Sequence, residues 1–532
     1  MSSEHLASAQ NELKGNLGGA WNILDGAQGQ YQDLGIARRF GGAAAAYSLR
    51  DIGAMNGRVV NVRREPHDDD NPGVTDETDF SANQVQSGVL EDWVNGKLES
   101  TLPADVATAA AAYSLRKVKA SYAEDAVRIR RSSDDVEVDV AFDSDDKVSA
   151  SSAITDVAEQ GGESGSTTAT DLNGFLNETL TVGVAVEGGS SASNRPDSFS
   201  NATNSSFTAT VTATAGGYFP YKTAVGDVIT VSFDLVLSGG ASPSLATATS
   251  VNTVTNASTT VLYTSSGSYT SSFTCTADAT HIRLADGDDG TFAVTNFKIV
   301  SHTHQAFVHT WYDQAGSNNA TQATDGNQPK IASSGALLAD ENGFPEIQFT
   351  PDASNGKFLS FTTINFSDTM GIFFKSIFRN SGGSSRTLSK DGSFTHIVQF
   401  LNASTVQINT TTDATFAVPN FTTSSKLHTI LTASDSANYF GNAATADSPQ
   451  SVNMNSDFQL NQIGVAANSS GAARADFDTS ELMFYTSDQS ANRFKIESNI
   501  NNYYGLYNDA NEFNTSTWQN GGTGSNDSWD SL

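Results

Sequence analysis

Cysteine is almost missing from this 532-residue chain: Cys275 stands alone. No intrachain disulfide can form, so stability must come from packing or from oligomerisation, and Cys275 reads as a small strand residue. Basic side chains are also scarce. Lys and Arg total 29 against 59 Asp and Glu, a formal charge of −30, and such a field opposes wrapping nucleic acid or docking on an anionic membrane. No apolar run approaches the roughly 20 residues that span a bilayer. The start, Met1-Ser2-Ser3-Glu4-His5, has no basic segment followed by an apolar one. The expectation is therefore no nucleic-acid partner, no membrane insertion and no signal peptide. What is abundant is Ser, Thr, Asn and Gly, a composition that suits solvated β-modules joined by many turns, in roughly three or four domains.

Residues 1–40 carry weak helical periodicity (Leu13, Leu17, Trp21, Leu24) broken by glycines, which predicts a partly helical arm able to dock to a scaffold. An internal repeat follows. Ala46-Tyr47-Ser48-Leu49-Arg50 and Arg58-Val59-Val60-Asn61-Val62-Arg63-Arg64, with Asp68-Asp69-Asp70 behind them, return as Ala112-Tyr113-Ser114-Leu115-Arg116, Val127-Arg128-Ile129-Arg130-Arg131 and Asp134-Asp135. The offset is 66 residues from Tyr47 to Tyr113 and 67 from Arg64 to Arg131, which is long for a solenoid unit and points to a duplicated supersecondary element. Tyr-Ser-Leu-Arg reads as a short helix start, and Val-Arg-Ile-Arg as a strand whose arginines can meet the acidic run behind it. Those charges read first as a solvated, ion-paired rim and second as an anion or metal site.

Residues 144–180 are rich in Ser, Gly, Asp and Glu and read as a flexible connection. From 181 to 300 short alternating strands, such as Val228-Ile229-Thr230-Val231-Ser232-Phe233, give the pattern of a compact jelly roll. Residues 303–508 read as β again. Near their end Ile496, Ile500, Tyr503 and Tyr504 share the apolar face of one helix. The tail from 509 to 532 is polar apart from Trp518 and Trp529, and is either loose or pinned by those indoles to a neighbouring subunit.

Three stretches together carry a resemblance: Tyr113-Ser114-Leu115-Arg116 with its Arg-rich strand and Asp134-Asp135; Thr310-Trp311-Tyr312-Asp313-Gln314-Ala315-Gly316; and Ala320-Thr321-Gln322-Ala323 with Gln328-Pro329. Phe344-Pro345-Glu346-Ile347-Gln348-Phe349, Tyr439-Phe440-Gly441-Asn442, Glu481-Leu482-Met483-Phe484-Tyr485 and Ile500-Asn501-Asn502-Tyr503-Tyr504-Gly505-Leu506-Tyr507 extend it. The pattern resembles the laminin-G/concanavalin-like sandwich of α-L-arabinofuranosidase catalytic domains and of repeated modules in tail-fibre and other structural proteins of marine bacteriophages. It covers residues 111–145 and 303–508, and 42–96 more loosely.

The resemblance implies a mainly β, multi-domain chain. Residues 1–40 would be the arm and 41–105 a small α/β attachment module. Residues 106–180 with 301–508 would form the laminin-G-like sandwich, 181–300 an inserted jelly roll of carbohydrate-binding type, and 509–532 a tail. Here about 120 residues separate the short leucine segment Leu172-Asn173-Gly174-Phe175-Leu176 from Trp311, hence the insertion, which a sandwich tolerates where the two ends lie close together. The implied function is that of a virion structural protein, a tail fibre or spike, made in the host cytoplasm and carried on the outer surface of the particle. Its partners would be other virion proteins through the N-terminal region, a host surface glycan and further copies of itself in a homotrimer. Head decoration and a polysaccharide-cleaving tailspike are the alternatives.

No segment matches the catalytic loops of the arabinofuranosidases, so no catalytic residue is assigned and no enzymatic activity is expected. Asp134, Asp135 and Asp313 go with the scaffold. Candidate sugar-stacking rings are Tyr218, Phe219 and Tyr221, in a stretch that reads as a loop, together with Trp311 and Tyr312, where a buried tryptophan bracing the strand is the competing role. Asp286, Asp288 and Asp289 could wrap calcium or form a plain acidic turn, and no other cofactor is expected. His302, His304 and His309 lie close enough in sequence to seed a zinc site, although solvated strand histidines explain them as well.

Overall fold

The computed structural model describes residues 58–64, 76–81 and, apart from short interior stretches, 102–507. The arm at 1–40, the Ala-Tyr-Ser-Leu-Arg stretch of the first repeat and the tail from 509 lie outside the described residues. The fold is mainly β. In the first repeat Arg58–Arg64 pairs antiparallel with Asp76–Ser81. Among the described residues no helix is long and apolar enough to cross a membrane.

Two extended strand systems build the main unit. In the first, Ala111–Ser114 lies on Phe477–Tyr485, which pairs with Thr369–Phe378, then Lys426–Ala433, then Ser436–Gly441. In the second, Ile154–Ala158, Glu137–Val140, Val127–Arg131 and Ala306–Trp311 follow one another, and the system continues through Ala320–Thr321 and Phe358–Phe366 to Phe458–Gly464. Because side chains alternate along a strand, each strand sends every second residue into one core. That core holds Tyr113, Ile129, Val138, Trp311, Phe374 and Phe484. Residues of opposite parity, Ala112, Phe373, Met483 and Tyr485, form a second layer, which the helix Arg493–Tyr504 covers with Ile496, Ile500 and Tyr504. The helix stops at Gly505, whose left-handed φ of 63° suits the C-cap.

Residues 177–303 form a separate sandwich with its own core of Phe207, Phe219, Ile229, Phe233, Phe292 and Phe297. Its six-stranded sheet centres on Val228–Ser238 and Gly290–Thr303, and its five-stranded sheet on Ala279–Asp286 and Ala215–Thr223. Pairing starts at Asn177, against Thr303. The chain leaves the main unit after the helix Leu172–Leu176 and returns beside that point, where the His304 N–H donates to the Leu176 carbonyl at 2.9 Å.

Three expectations need correction. Tyr-Ser-Leu-Arg does not start a helix; Ala111–Ser114 is a fully buried strand. The stretch 144–180 is not wholly a flexible connection, because it contains the strand Ile154–Ala158 and the helix Leu172–Leu176, whose Gly174 N–H donates to Asp171 at 2.8 Å. The Arg/Asp pairs are structural ion pairs as expected, but on the arginine side they are buried, not solvated. Arg130 and Arg131 are buried, paired at 2.5 Å with Asp135 and Asp134 respectively, and Arg131 also holds Glu178 at 2.6 Å.

Candidate functional site

Most residues of the recurring motifs turn out to hold the scaffold together. Trp311 is fully buried, with its ring centroid 5.8 Å from that of Tyr113. Asp313 accepts backbone N–H bonds from Ala112 (2.8 Å), Ala315 (2.9 Å) and Asn318 (3.1 Å). Gln314 accepts from Val118 N–H at 2.7 Å and donates to the carbonyls of Ser114 and Arg116 at 3.1 and 2.8 Å. Arg116 donates to both oxygens of buried Glu481, at 2.7 and 3.0 Å. The Trp-Tyr-Asp-Gln and Tyr-Ser-Leu-Arg segments are thus bolted to each other, 201 residues apart at Ala112 and Asp313. Of that cluster only Tyr312 points outward.

Tyr312 lies at the edge of a polar row on the outer face of the second strand system. In register, Arg128 faces Asp139 and Asp139 faces Thr155 across three strands. Their neighbours Val127, Ile129, Val138 and Val140 point inward, so period-two alternation alone sends this row outward. Asp139 accepts from Arg128 Nε at 2.8 Å and Nη2 at 2.6 Å, and from the Tyr312 hydroxyl at 2.6 Å. Beside it, Thr155 donates to Asp125 at 3.3 Å and the Tyr122 hydroxyl to the Asp125 carbonyl at 2.8 Å. Burial, reinforced by the negative charge of Asp139, pushes the Asp125 carboxyl above its usual range against the pull of Arg128 and Thr155. Along the same face Phe307 lies beneath Arg130 and Lys330, at 5.4 and 5.8 Å.

The remaining candidates divide. Tyr218 and Phe219 are on the strand Ala215–Thr223 and sealed in the insert, Phe219 stacking on Phe297 at 3.6 Å. Neither is an exposed loop ring, because the stretch is a strand paired with Ala279–Asp286: Phe219 faces the core, and Tyr218, on the opposite face, is buried against His281 at 6.3 Å. Tyr221 is partly buried and tied to His302 at 2.9 Å. Trp311, sealed in the main core, has no face open to a sugar. Asp286 is buried at a strand end, accepting from Ser242 N–H at 2.7 Å, so it is not an open calcium loop ligand; Asp288 and Asp289 lie outside the described residues. His302 and His304 come together with Glu178, whereas His309 stands apart, 3.8 Å from Glu137. Sequence reading took Arg128 only as one of the arginines meeting the acidic run behind the strand and passed over Asp139, Thr155 and Tyr122; the signal was the matched alternation of Val-Arg-Ile-Arg and Glu-Val-Asp-Val.

No protein-family model matches the chain, and no curated protein is detectably similar to it. Partial structural similarity extends to glycosidases and carbohydrate-binding proteins. A Trypanosoma rangeli sialidase shares 6% identity at a TM-score of 0.27, over 37% of this chain and 31% of that one. A GH54 α-L-arabinofuranosidase shares 12% at 0.27, over 37% of this chain and 51% of that one. A truncated protein with CBM32 and alginate lyase domains shares 11% at 0.19, over 59% of this chain and 99% of that one. The match therefore spans less than a third of the sialidase and about half of the arabinofuranosidase.

Proposed function

We propose that this chain is a glycan-binding structural protein of a bacteriophage particle, a tail fibre or spike anchored to other virion proteins through its N-terminal region and working as a homotrimer. The observation that carries glycan recognition is the outer row of Tyr312, Asp139, Arg128 and Thr155. A tyrosine face takes the C–H face of a sugar and the partly exposed guanidinium of Arg128 suits its hydroxyls, while the buried Asp139 holds both groups in place. Asp139 is already fixed by three hydrogen bonds, so little side-chain entropy is lost on binding. One shallow face of this kind binds weakly; copy number on a particle multiplies it. The acidic, almost cysteine-free composition and the repeated motif support a particle role, and no catalytic residue is assigned.

The test is retention of the purified full-length chain on host-cell polysaccharide. Tyr312→Ala is expected to cut retention about tenfold, in line with loss of one aromatic anchor, with thermal unfolding little changed. Retention equal to wild type would remove this face as the binding site. Immunogold labelling of particles with antibody to residues 303–508 separates the positions: label at the tail supports the fibre or spike, and label over the head replaces it with a decoration protein. A second reading is a polysaccharide-cleaving spike, for which the two carboxylates of this face, Asp125 and Asp139, are the candidates; burial and the neighbouring Asp139 push the Asp125 carboxyl upward. Release of new reducing ends from the same polysaccharide, lost in Asp125→Asn, would establish that reading.

A further inference from the structure

A second cluster lies at the base of the insert, away from the outer row. His302 lies near the end of the strand Gly290–Thr303 and His304 follows it by two, so both rings fall on one side. Both residues are 1% exposed and their ring centroids are 3.6 Å apart. Glu178, on the first strand of the insert, pairs in register with His302. One ligand-capable atom from each of Glu178, His302 and His304 lies within 4.8 Å of the others.

Each of the three is steered by an outer partner. Ser133 Oγ holds His304 Nδ1 at 2.9 Å, and Arg131 holds Glu178 Oε1 at 2.6 Å. Tyr221 and Asp227 hold the two nitrogens of His302, both at 2.9 Å. His304 Nε2 is buried without a hydrogen-bond partner and faces Glu178 Oε2 at 3.5 Å. Outer-shell bonds of this sort fix the tautomer and direction of metal-ligating imidazoles and carboxylates.

We propose that Glu178, His302 and His304 bind a divalent transition-metal ion of the zinc class, through Glu178 Oε2, His304 Nε2 and one ring nitrogen of His302, clamping the first and last strands of the insert together. Two imidazoles and a carboxylate are a borderline donor set suited to such an ion, and a fourth position remains for water. His302 exchanges one of its two hydrogen bonds for the metal. Charge agrees with a dication. The carboxylates of Glu178, Asp227 and Asp134 outnumber the single guanidinium of Arg131 by two negative charges. Glu178, the partly exposed member at 24%, gives the ion a way in.

The experiment uses the full-length chain, stripped with chelator and titrated with Co2+ at pH 7.5. The expected result is visible d–d absorption that saturates near one equivalent and is displaced by Zn2+, with Zn2+ raising the Tm. Glu178→Gln, which preserves side-chain shape, and His304→Ala should abolish the bands, and Ser133→Ala should weaken affinity about 10-fold. His281→Ala, on the strand Ala279–Asp286, should leave them unchanged. A wild-type protein without Co2+ bands would overturn the proposal, as would bands of equal affinity in a Glu178→Gln protein with native circular dichroism.

Discussion

Acid should loosen the main sandwich through one histidine. His428 is buried on the strand Lys426–Ala433, stacked on Phe374 at 4.7 Å, near Phe400 at 5.1 Å, with Nδ1 against the Tyr439 hydroxyl at 2.5 Å. Desolvation, helped by Lys426 nearby, pushes it from 6.5 down to about 3. Since the folded pKa is the lower one, the unfolded chain binds the extra proton between those values, and stability falls as pH falls from 6.5 towards 3. The full shift is worth about 5 kcal/mol, of which about 2 kcal/mol is already lost at pH 5. For a unit of this size that is a fall of about 4–8 °C in Tm. Differential scanning calorimetry at pH 7.5 and 5.0, on wild type and His428→Gln, isolates the term, because other titrating groups cancel in the difference. The variant should lose several degrees less than wild type. Parallel losses in the two proteins would refute the reasoning.

Three further perturbations separate scaffold from site. Lys375, fully buried, pairs with Asp340 at 2.9 Å and Glu346 at 2.6 Å; Lys375→Met strands both carboxylates and should cost about 3–5 kcal/mol in chemical denaturation, part of which Glu346→Gln in the same chain should recover. Asp313→Asn leaves one of the two acceptor oxygens and should lose about 2 kcal/mol, read as a lowered denaturation midpoint. Phe219→Ala, which empties the stack on Phe297, should destabilise the insert by about 3–5 kcal/mol while polysaccharide retention at a temperature below unfolding stays at the wild-type level; lost retention there would return that ring to the list of sugar contacts.

Much of the β architecture was legible because period two is a local signal. Thr369–Phe378 and Phe477–Tyr485 declared themselves as apolar runs, and the helix Arg493–Tyr504 as one apolar face. Reading failed where partners are remote. Tyr113-Ser114-Leu115-Arg116 looks helical by itself, and becomes a strand because Ser480–Phe484 lies beside it, with Glu481 waiting for Arg116. Tyr218 and Phe219 look like loop rings among glycines. Yet Gly217 is there because Phe207 packs so close that a Cβ would meet its ring at 2.5 Å, the mark of a strand pressed into a core.

The same alternation explains why the candidate site is found outside the motifs that first draw the eye. In Trp311-Tyr312-Asp313-Gln314 the tryptophan must fill the core and the last two side chains must satisfy backbone groups of 112–118, since a buried N–H or carbonyl left unpaired costs more than the bond gains. Tyr312 is the one position with no scaffold duty beyond its bond to Asp139, so it is free to face solvent. Arg128 and Asp139 lie on the opposite face for the matching reason, since Val127, Ile129, Val138 and Val140 claim the interior; Asp139 is buried beside Arg128 and Tyr312, and those two are its partly exposed partners. Motif strength in the sequence therefore tracks how many structural obligations a segment carries. The residues able to meet a ligand are those left on the opposite parity of the same strands.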